Sequence, residues 1–301
     1  EDGIRDFCLS RGLGDVYKRQ DKKNDLESKV ETLRIEKENK MGLVERIDDG
    51  AISRLLLNQP SRLNVLSDDL LNTLQEELIS IGKSKNIRCL IISGAGNGFC
   101  AGHDLKEMTN KRQNPDGGVA YFRDLFVRCS KMMTTIRSLP KPVIAQVHGI
   151  ATAAGCQLVA SCDLAVADES ARFGVNGVNI GLFCSTPMVA LTRAVGRKKA
   201  FEMLVTGQFI EAKEAKEIGL INKISQIGQL EKTTDELALQ ITGKLGEAVK
   251  IGKEAFYKQS EMSLKDAYDY TGTVMAENMM FEQTKRGINL FLDKKTPEWD
   301  Q

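Results

Sequence analysis

Two stretches of the chain decide its fold: FCAGHDLKEM at residues 99–108 and VHGIATAAGCQL at residues 147–158. In each, an apolar run leads through glycine and alanine into the start of a helix. The backbone N–H groups at such a junction have no partner within the helix, and they point at whatever lies in front of it. Two such junctions predict a pair of N–H groups that converge on one oxygen atom, an oxyanion hole. For each stretch alone, a tight packing turn between strand and helix is the alternative.

The segments around these stretches predict alternating strands and helices. The Asp48-Asp49-Gly50 turn indicates a hairpin, and Ser67 is expected to cap the first helix. Strands are predicted at residues 43–47, 51–57, 87–93, 143–147, 164–167 and 220–224, and further helices at about 121–138 and 153–161. Strands that alternate with helices in this way indicate an α/β layered domain.

The composition excludes several classes of function. Lysine and arginine number 42 and aspartate and glutamate 41, a net charge of +1, and no basic block offers a surface for nucleic acid. No apolar run approaches the roughly 20 residues that span a bilayer, so no membrane insertion is expected. The two histidines and seven scattered cysteines lack zinc-ligand spacing, which predicts no metal site and reduced thiols inside a cell.

Several motifs, in order and at matching spacing, resemble the crotonase (enoyl-CoA hydratase/isomerase) family. FCAGHDLKEM at 99–108 and ATAAGCQLVASCDLAVA at 151–167 carry most of the likeness. Further matches are PSRLNVLS at 60–67, FGVNGVNIGL at 173–182, the segment 192–224, and GINLFLDKKTPEW at 287–299. The resemblance covers about residues 43–299 and implies an α/β fold, a spiral of repeated β-β-α units with a helical C-terminal region.

The resemblance implies that the main-chain N–H groups of His103 and Ala154 form the oxyanion hole for a thioester carbonyl. Asp104, beside His103, is expected to cap the turn after it. Family hydratases add two glutamates that move protons to and from water, and here those positions are Gln157 and Gly177. An amide does not transfer a proton near neutral pH, and glycine has no side chain. Hydratase activity is therefore not carried over from the family.

The ligand implied by the resemblance is a coenzyme A thioester, an acyl-CoA small molecule, with no further cofactor. Its binding residues are expected to be Ser61, Arg62, Val65, Ala101, Gly102, Asp104, Leu105, Lys106, Ala153, Val178, Leu182 and, from a neighbouring subunit, Phe291 and Lys294. Arg62 meets a phosphate in this interpretation, with a solvated surface arginine as the alternative. Asn97 stands where the family often has a lysine, which removes one phosphate contact.

The same resemblance implies three regions and an assembly. Residues 1–40 are interpreted as an N-terminal extension, non-native or disordered, residues 41–229 as the crotonase spiral core, and residues 230–301 as a helical trimerisation region. A homotrimer or a dimer of trimers is expected. The relatives imply a mitochondrial location, with the cytoplasm as the alternative, although residues 1–40 contain no recognisable transit peptide.

A few side chains near the predicted hole have two interpretations each. The His103 ring titrates near pH 7 if it takes part in catalysis, whereas the family motif uses only its backbone. Cys184 is either a nucleophile, which requires a base and an electropositive setting, or a thiol that lines the acyl pocket. Asn176 and Asn179 either orient a polar acyl group or form a turn. Asp163 is expected to pair with main-chain donors.

Competing classes of protein are weaker matches. Gly94, Gly96 and Gly98 follow a strand, but their spacing is not that of a dinucleotide-binding loop and they do not open a helix. The G-x-S-x-G motif of hydrolases is absent. Two alternatives to a hydratase stay open: a protein that binds acyl-CoA or assembles without turnover, and an enzyme for another enolate-type reaction such as isomerisation, thioester hydrolysis or decarboxylation.

Overall fold

The computed structural model of the protein describes residues 42–297 and Trp299. The predicted extension at residues 1–40 lies outside these residues. The described chain contains a six-stranded sheet in the order β1-β2-β3-β4-β6-β9 and a three-stranded sheet in the order β5-β7-β8. The strands are β1 (Val44–Asp49), β2 (Ile52–Leu57), β3 (Cys89–Gly94), β4 (Val143–Val147), β5 (Ile150–Thr152), β6 (Leu164–Asp168), β7 (Arg172–Gly174), β8 (Ile210–Glu211) and β9 (Lys223–Ser225).

Only the β1/β2 hairpin is antiparallel in the large sheet, and the remaining neighbours pair in parallel. The central strands of the large sheet are continuous apolar runs, because helices cover both faces of the sheet, as in other parallel sheets. In the small sheet, β5 pairs in parallel with β7, and β7 pairs antiparallel with β8. The predicted hairpin and the α/β alternation are confirmed.

Eleven helices connect or follow the strands within residues 42–297. They are α1 (Asp68–Lys83), α2 (Leu105–Lys111), α3 (Val119–Ser138), α4 (Ala154–Ser161), α5 (Ser185–Ala194), α6 (Arg197–Thr206), α7 (Ala212–Glu217), α8 (Leu230–Thr242), α9 (Gly246–Gln259), α10 (Leu264–Met279) and α11 (Glu282–Leu292). Ser67 caps α1 as predicted, since its side chain accepts a hydrogen bond from the Leu70 N–H. None of the helices over the described range is long and apolar enough to span a membrane.

The prediction of a last strand at residues 220–224 is wrong for its first half. Leu220 and Ile221 are buried, but both backbone N–H groups turn back to the Ala215 carbonyl at the end of α7. The strand begins only at Lys223 and ends at Ser225. The apolar pair Leu220-Ile221 therefore indicates burial but not a β-strand, an ambiguity that is common to short apolar runs.

A buried asparagine holds the loop before α1 against the glycine-rich loop after β3. The Asn64 side-chain amide donates hydrogen bonds to the backbone carbonyls of Ala95, Gly98 and Phe99, at 2.9, 2.8 and 3.2 Å. Its side-chain oxygen accepts one from the Gln59 N–H at 2.9 Å. Asn64 also has a φ of +53°, a backbone conformation that asparagine tolerates better than most residues. One residue thus fixes the approach to the FCAGHDLKEM segment.

Candidate active site

The two glycine- and alanine-rich junctions predicted from the sequence lie against each other. The N–H groups of Phe99 and Cys100 both donate to the Ile150 carbonyl at 3.1 Å, and the Thr152 N–H donates to the Cys100 carbonyl at 3.0 Å. Gly155 closes the contact, since a Cβ at that position would lie 2.1 Å from the Cys100 oxygen. The main chains of the two junctions are therefore joined directly, with no room for a side chain between them.

The His103 N–H is left without an acceptor by this arrangement. Leu66 bridges the segment in parallel: its N–H donates to the Gly102 carbonyl at 2.7 Å, and its carbonyl accepts from the Asp104 N–H at 3.4 Å. These bonds use the residues on either side of His103. No described residue accepts a hydrogen bond from the His103 N–H itself, so this donor remains available to a ligand.

Ala154 provides the second donor. It is the first residue of α4, so its N–H has no acceptor within the helix, and no described residue elsewhere accepts from it. A Cβ placed on Gly102, next to His103, would lie only 3.3 Å from the Ala154 nitrogen. The Ala154 nitrogen therefore lies close to Gly102, the residue before His103. Ala154 has a negative φ, the condition under which alanine suits this position.

The residue before it, Ala153, is strained. Its φ is +51° and its ψ is −118°, and it presents no capping side chain to α4. This conformation is one that glycine adopts readily and alanine rarely. The Ala153 N–H donates to the Gly174 carbonyl at 2.9 Å, which ties α4 to β7. The strain escapes sequence reasoning, because alanine carries no signal for a positive φ.

Gln157 lies one turn into α4 and is buried. Its side-chain oxygen has no hydrogen-bond partner among the described residues, although it is shielded from solvent. A buried amide oxygen without a partner costs about 1–3 kcal/mol. The position at which family hydratases carry a carboxylate therefore holds a neutral amide whose oxygen has no hydrogen-bond partner among the described residues.

Gly177 has no space for a side chain. A Cβ at this position would lie 2.2 Å from the Leu182 carbonyl oxygen and 2.9 Å from the Cys184 sulfur. The Leu182 N–H in turn donates to the Gly177 carbonyl at 2.9 Å, so the 177–184 loop closes on itself. The main chain of this loop occupies the room that a second glutamate would need. The sequence shows that the side chain is missing, but it does not show that main chain occupies the space beside Gly177.

Asp104 caps α2, as predicted, and also forms an ion pair. One carboxylate oxygen accepts from the N–H groups of Lys106 and Glu107 at 3.0 and 3.2 Å, and the other pairs with the guanidinium of Arg62. Arg62 is therefore ion-paired rather than isolated in solvent. Its side chain is still 38% exposed, and the ion pair leaves other guanidinium N–H donors for a phosphate.

The His103 ring points into a buried space between Leu66 and α3. It meets Phe126 edge to face with ring centroids 5.7 Å apart, and neither ring nitrogen has a hydrogen-bond partner among the described residues. Burial lowers the pKa of His103 from 6.5 to about 4, and the Leu66 backbone carbonyl opposes this shift only in part. The ring is neutral at physiological pH, so it is not poised to exchange protons near pH 7.

The other predicted ligand contacts divide into two groups. Ser61, Val65, Ala101 and Val178 are half-buried, whereas Leu105, Lys106 and Leu182 are exposed. Cys184 is buried, and burial raises the pKa of its thiol, the opposite of what a nucleophilic thiolate requires. Among the described residues, no three His, Cys, Asp or Glu side chains come together in a group that would hold a metal ion.

Asn176, Asn179 and Asp163 are all engaged within the chain. The Asn176 side chain accepts from the Thr152 hydroxyl at 2.6 Å, and the Asn179 amide donates to the Gly207 carbonyl at 3.1 Å. Asp163 accepts from the Val143 N–H at 2.7 Å, as expected for a residue that pairs with main-chain donors. It also binds Lys253 and Tyr257 of α9, each at 2.7 Å.

Phe291 and Lys294 are not brought to the oxyanion loops within one chain. Phe291 is 76% exposed and lines a shallow pocket together with Ile288, Pro297 and Trp299. No residue of the oxyanion loops lines this pocket. Their predicted contact with coenzyme A requires a neighbouring subunit.

Fold and site together define a class of protein: a parallel α/β core in which two strand-to-helix junctions present adjacent main-chain donors. The chain belongs to the enoyl-CoA hydratase/isomerase family, whose sequence model matches residues 48–301. It is 46% identical, over 248 residues, to enoyl-CoA hydratase domain-containing protein 3, mitochondrial, of Xenopus laevis, an alignment that covers 82% of this chain and 83% of that protein.

Solved structures agree with the sequence comparison. The crystal structure of an enoyl-CoA hydratase from Mycobacterium smegmatis is 47% identical, with a TM-score of 0.82, and the match covers 86% of this chain and 99% of that one. The human enoyl-CoA hydratase domain-containing protein 3 is 42% identical, with a TM-score of 0.81, over 86% and 100% of the two chains. The family and the crotonase fold predicted from the motifs are confirmed.

The strain at Ala153 predicts that Ala153→Gly stabilises the protein. Glycine removes the clash of Cβ at positive φ, so the free energy of unfolding should rise by about 1 kcal/mol. Ala160→Gly, in the regular part of α4, should lower it by about 1 kcal/mol. Urea unfolding of both variants measures the difference. A loss of stability in Ala153→Gly equal to that in Ala160→Gly would show that position 153 is not strained.

The depressed pKa of His103 predicts acid-sensitive stability. The unfolded chain binds a proton at this residue below about pH 6.5, whereas the folded chain does not until about pH 4, so stability falls as the pH drops through that window. Between about pH 7.5 and about pH 4.5 the loss due to His103 should reach about 2–3 kcal/mol. In His103→Gln, the difference between urea unfolding at the two pH values should shrink by that amount. An unchanged difference would place the ring in contact with solvent.

Proposed function

We propose that the protein binds acyl-CoA thioesters and holds the thioester oxygen between the N–H groups of His103 and Ala154. The observation that carries this proposal is that both N–H groups lack an acceptor among the described residues and belong to two junctions whose main chains pack against each other. Paired main-chain donors suit an oxygen that gains negative charge, as in an enolate of a thioester. Membership of the enoyl-CoA hydratase/isomerase family supports the same class of ligand.

We do not extend the proposal to efficient hydration of enoyl-CoA. Addition of water requires a base for the water and an acid for the carbon that receives its proton. Gln157 transfers no proton near neutral pH, and the space beside Gly177 is filled by the Leu182 carbonyl. The His103 ring, neutral and buried, does not replace either carboxylate.

A second candidate function follows from the same features. Binding without turnover, in a regulatory or assembly role, requires the donors but no proton shuttle. An isomerisation, thioester hydrolysis or decarboxylation that proceeds through an enolate uses the same hole with different acids and bases. The missing carboxylates favour binding without turnover. Burial lowers the pKa of the His103 ring to about 4 and raises that of the Cys184 thiol, so neither group takes over their proton transfers near neutral pH.

The proposal includes assembly and location. Large apolar side chains are exposed along α10, among them Leu264 at 76% and Tyr268 at 73%, and Met280 beyond its end is 81% exposed. A surface of this kind indicates a partner, and a homotrimer or dimer of trimers would bring Phe291 and Lys294 to a neighbouring site. A monomeric mass in light scattering would contradict the proposed assembly.

The mitochondrial names of the relatives support a mitochondrial location for this chain.

Replacement of Ala154 tests the oxyanion donor. Proline is compatible with the first position of a helix and removes the N–H, but its ring clashes with the Cβ of a residue before it in the conformation of Ala153. Ala154→Pro is therefore made together with Ala153→Gly, and this double variant should bind acetoacetyl-CoA in calorimetry about tenfold or more weakly than Ala153→Gly alone. Ala154→Gly keeps the donor and should bind within about threefold of the parent protein. Circular dichroism and thermal unfolding establish that both variants fold. Equal binding by the proline and glycine variants would remove Ala154 from the site.

The hydratase activity is tested with crotonyl-CoA. The parent protein should hydrate it at least about 100-fold more slowly than a family hydratase with both glutamates. Gln157→Glu should raise the rate, since it restores one carboxylate, whereas Gln157→Asn, the matched neutral variant, should not. Gly177→Glu is not used, because the Leu182 carbonyl leaves it no room. Rapid hydration by the parent protein would mean that another group performs the proton transfers.

A further inference from the structure

The segment at residues 60–66 lies along the loop that carries the His103 donor. The Ala101 N–H donates to the Leu63 carbonyl at 2.9 Å, and the Asn64 amide donates to three carbonyls in the earlier part of the loop. The position of the loop, and with it the position of the His103 N–H, therefore depends on contacts with this segment.

The direction of the His103 N–H is set by the peptide unit to which it belongs. That unit joins the Gly102 carbonyl to the His103 N–H, and because the bond is planar and trans the two groups point in opposite directions. The Leu66 N–H donates to the Gly102 carbonyl at 2.7 Å. This bond turns the carbonyl toward residues 60–66 and the N–H away from them.

On the other side of His103 the backbone contact is weaker, and an ion pair reinforces it. The Asp104 N–H donates to the Leu66 carbonyl at 3.4 Å, which is longer than a typical N–H···O bond. One Asp104 carboxylate oxygen accepts from two N–H groups in the first turn of α2, and the other pairs with the Arg62 guanidinium. The ion pair thus ties the 60–66 segment to the residue directly after the donor.

The burial of the pair makes the guanidinium important for the loop. The Asp104 side chain is 5% exposed, whereas the Arg62 side chain is 38% exposed. A buried carboxylate that loses one partner of an ion pair is left with uncompensated charge. Without the guanidinium, the Asp104 side chain would move toward water. His103 is the adjacent residue, so its N–H would be displaced as well.

We infer that Arg62 is a positioning residue: through its ion pair with Asp104 it holds the His103 N–H where the thioester oxygen is bound. The inference rests on the proposed function, because it concerns one of the two proposed donors. This role requires no contact between Arg62 and the ligand. A displaced donor weakens the hydrogen bond to the carbonyl and leaves the other contacts of the ligand unchanged.

A pair of ligands that differ only in the carbonyl tests the inference. Butyryl-CoA has a thioester carbonyl where the thioether S-butyl-CoA has a methylene group. In calorimetry with the full chain, the parent protein should bind butyryl-CoA about tenfold more tightly. In Arg62→Gln this preference should fall to about threefold or less. If Arg62 only contacts a phosphate, both ligands lose affinity equally and the preference stays unchanged, which overturns the inference.

Further variants establish that Arg62 acts through Asp104. Asp104→Asn keeps an oxygen that can cap α2 but removes the negative charge, so its preference should fall as in Arg62→Gln. The double variant should fall no further than either single variant, because both remove one interaction. Arg62→Lys keeps the positive charge and should retain most of the preference. The matched control is Arg54→Gln, which removes an arginine from its ion pair with Asp235 and should keep the full preference.

The outcomes separate the inference from the proposed function. A full preference in Arg62→Gln or Asp104→Asn, or independent losses that add in the double variant, overturns the inference and leaves the donors in place. Equal binding of the two ligands by the parent protein overturns the proposed function together with the inference. Circular dichroism establishes that each variant folds, and Asp104→Asn decides the question alone if Arg62→Gln does not fold.

Discussion

The site depends on three hydrogen bonds between the backbones of two loops. The Ile150 carbonyl accepts from Phe99 and Cys100, and the Cys100 carbonyl accepts from Thr152. Gly155 makes this contact possible, because a Cβ there would overlap the Cys100 oxygen. The bonds place the start of α2 and the start of α4 side by side. The start of α4 then contributes the Ala154 N–H, which has no acceptor within its helix, and His103, just before the N-cap of α2, contributes an N–H that no described residue accepts.

A hole built from main chain does not depend on the side chains around it. In the proposed hole, His103 would supply its N–H while its ring packs away against Phe126, and Ala154 would supply its N–H without any polar side chain. Substitutions that keep the backbone path therefore keep the donors. By contrast, the proton-transfer positions are side chains, and here one is an amide and the other has been replaced by the carbonyl of a neighbouring loop residue.

The sequence predicted the features that depend on local chemistry. Ser67 and Asp104 cap α1 and α2, and the limits of β4 agree with the prediction because a buried strand between turn signals is a local pattern. The oxyanion role of His103 and Ala154, which the family motif implies and the two strand-to-helix junctions suggest, stays a prediction. Prediction failed at Leu220 and Ile221, where the N–H groups turn back to the Ala215 carbonyl at the end of α7, because a short apolar pair does not distinguish this turn from a strand.

In the site, contacts between residues that lie far apart in the sequence were not predicted. The role of Asn64 in holding three carbonyls of another loop involves residues 31 to 35 positions away, and the contacts of Asp163 with α9 span 90 and 94 positions. The Arg62–Asp104 ion pair joins a residue predicted for phosphate binding to one predicted as a cap. Each residue type was visible in the sequence, but the pairing depends on how the chain folds back.

Binding and proton transfer are physically separable along α4. The donor at Ala154 acts through the helix start, whose N–H is free because of helix geometry alone. The side chain at Gln157, one turn later, acts through its own chemistry and can change without disturbing the N–H at the start. A helix start of this kind can therefore keep its donor when the acid–base groups after it are lost or exchanged. Because a main-chain donor carries no information about the acyl group, discrimination among ligands depends on the side chains around the proposed hole.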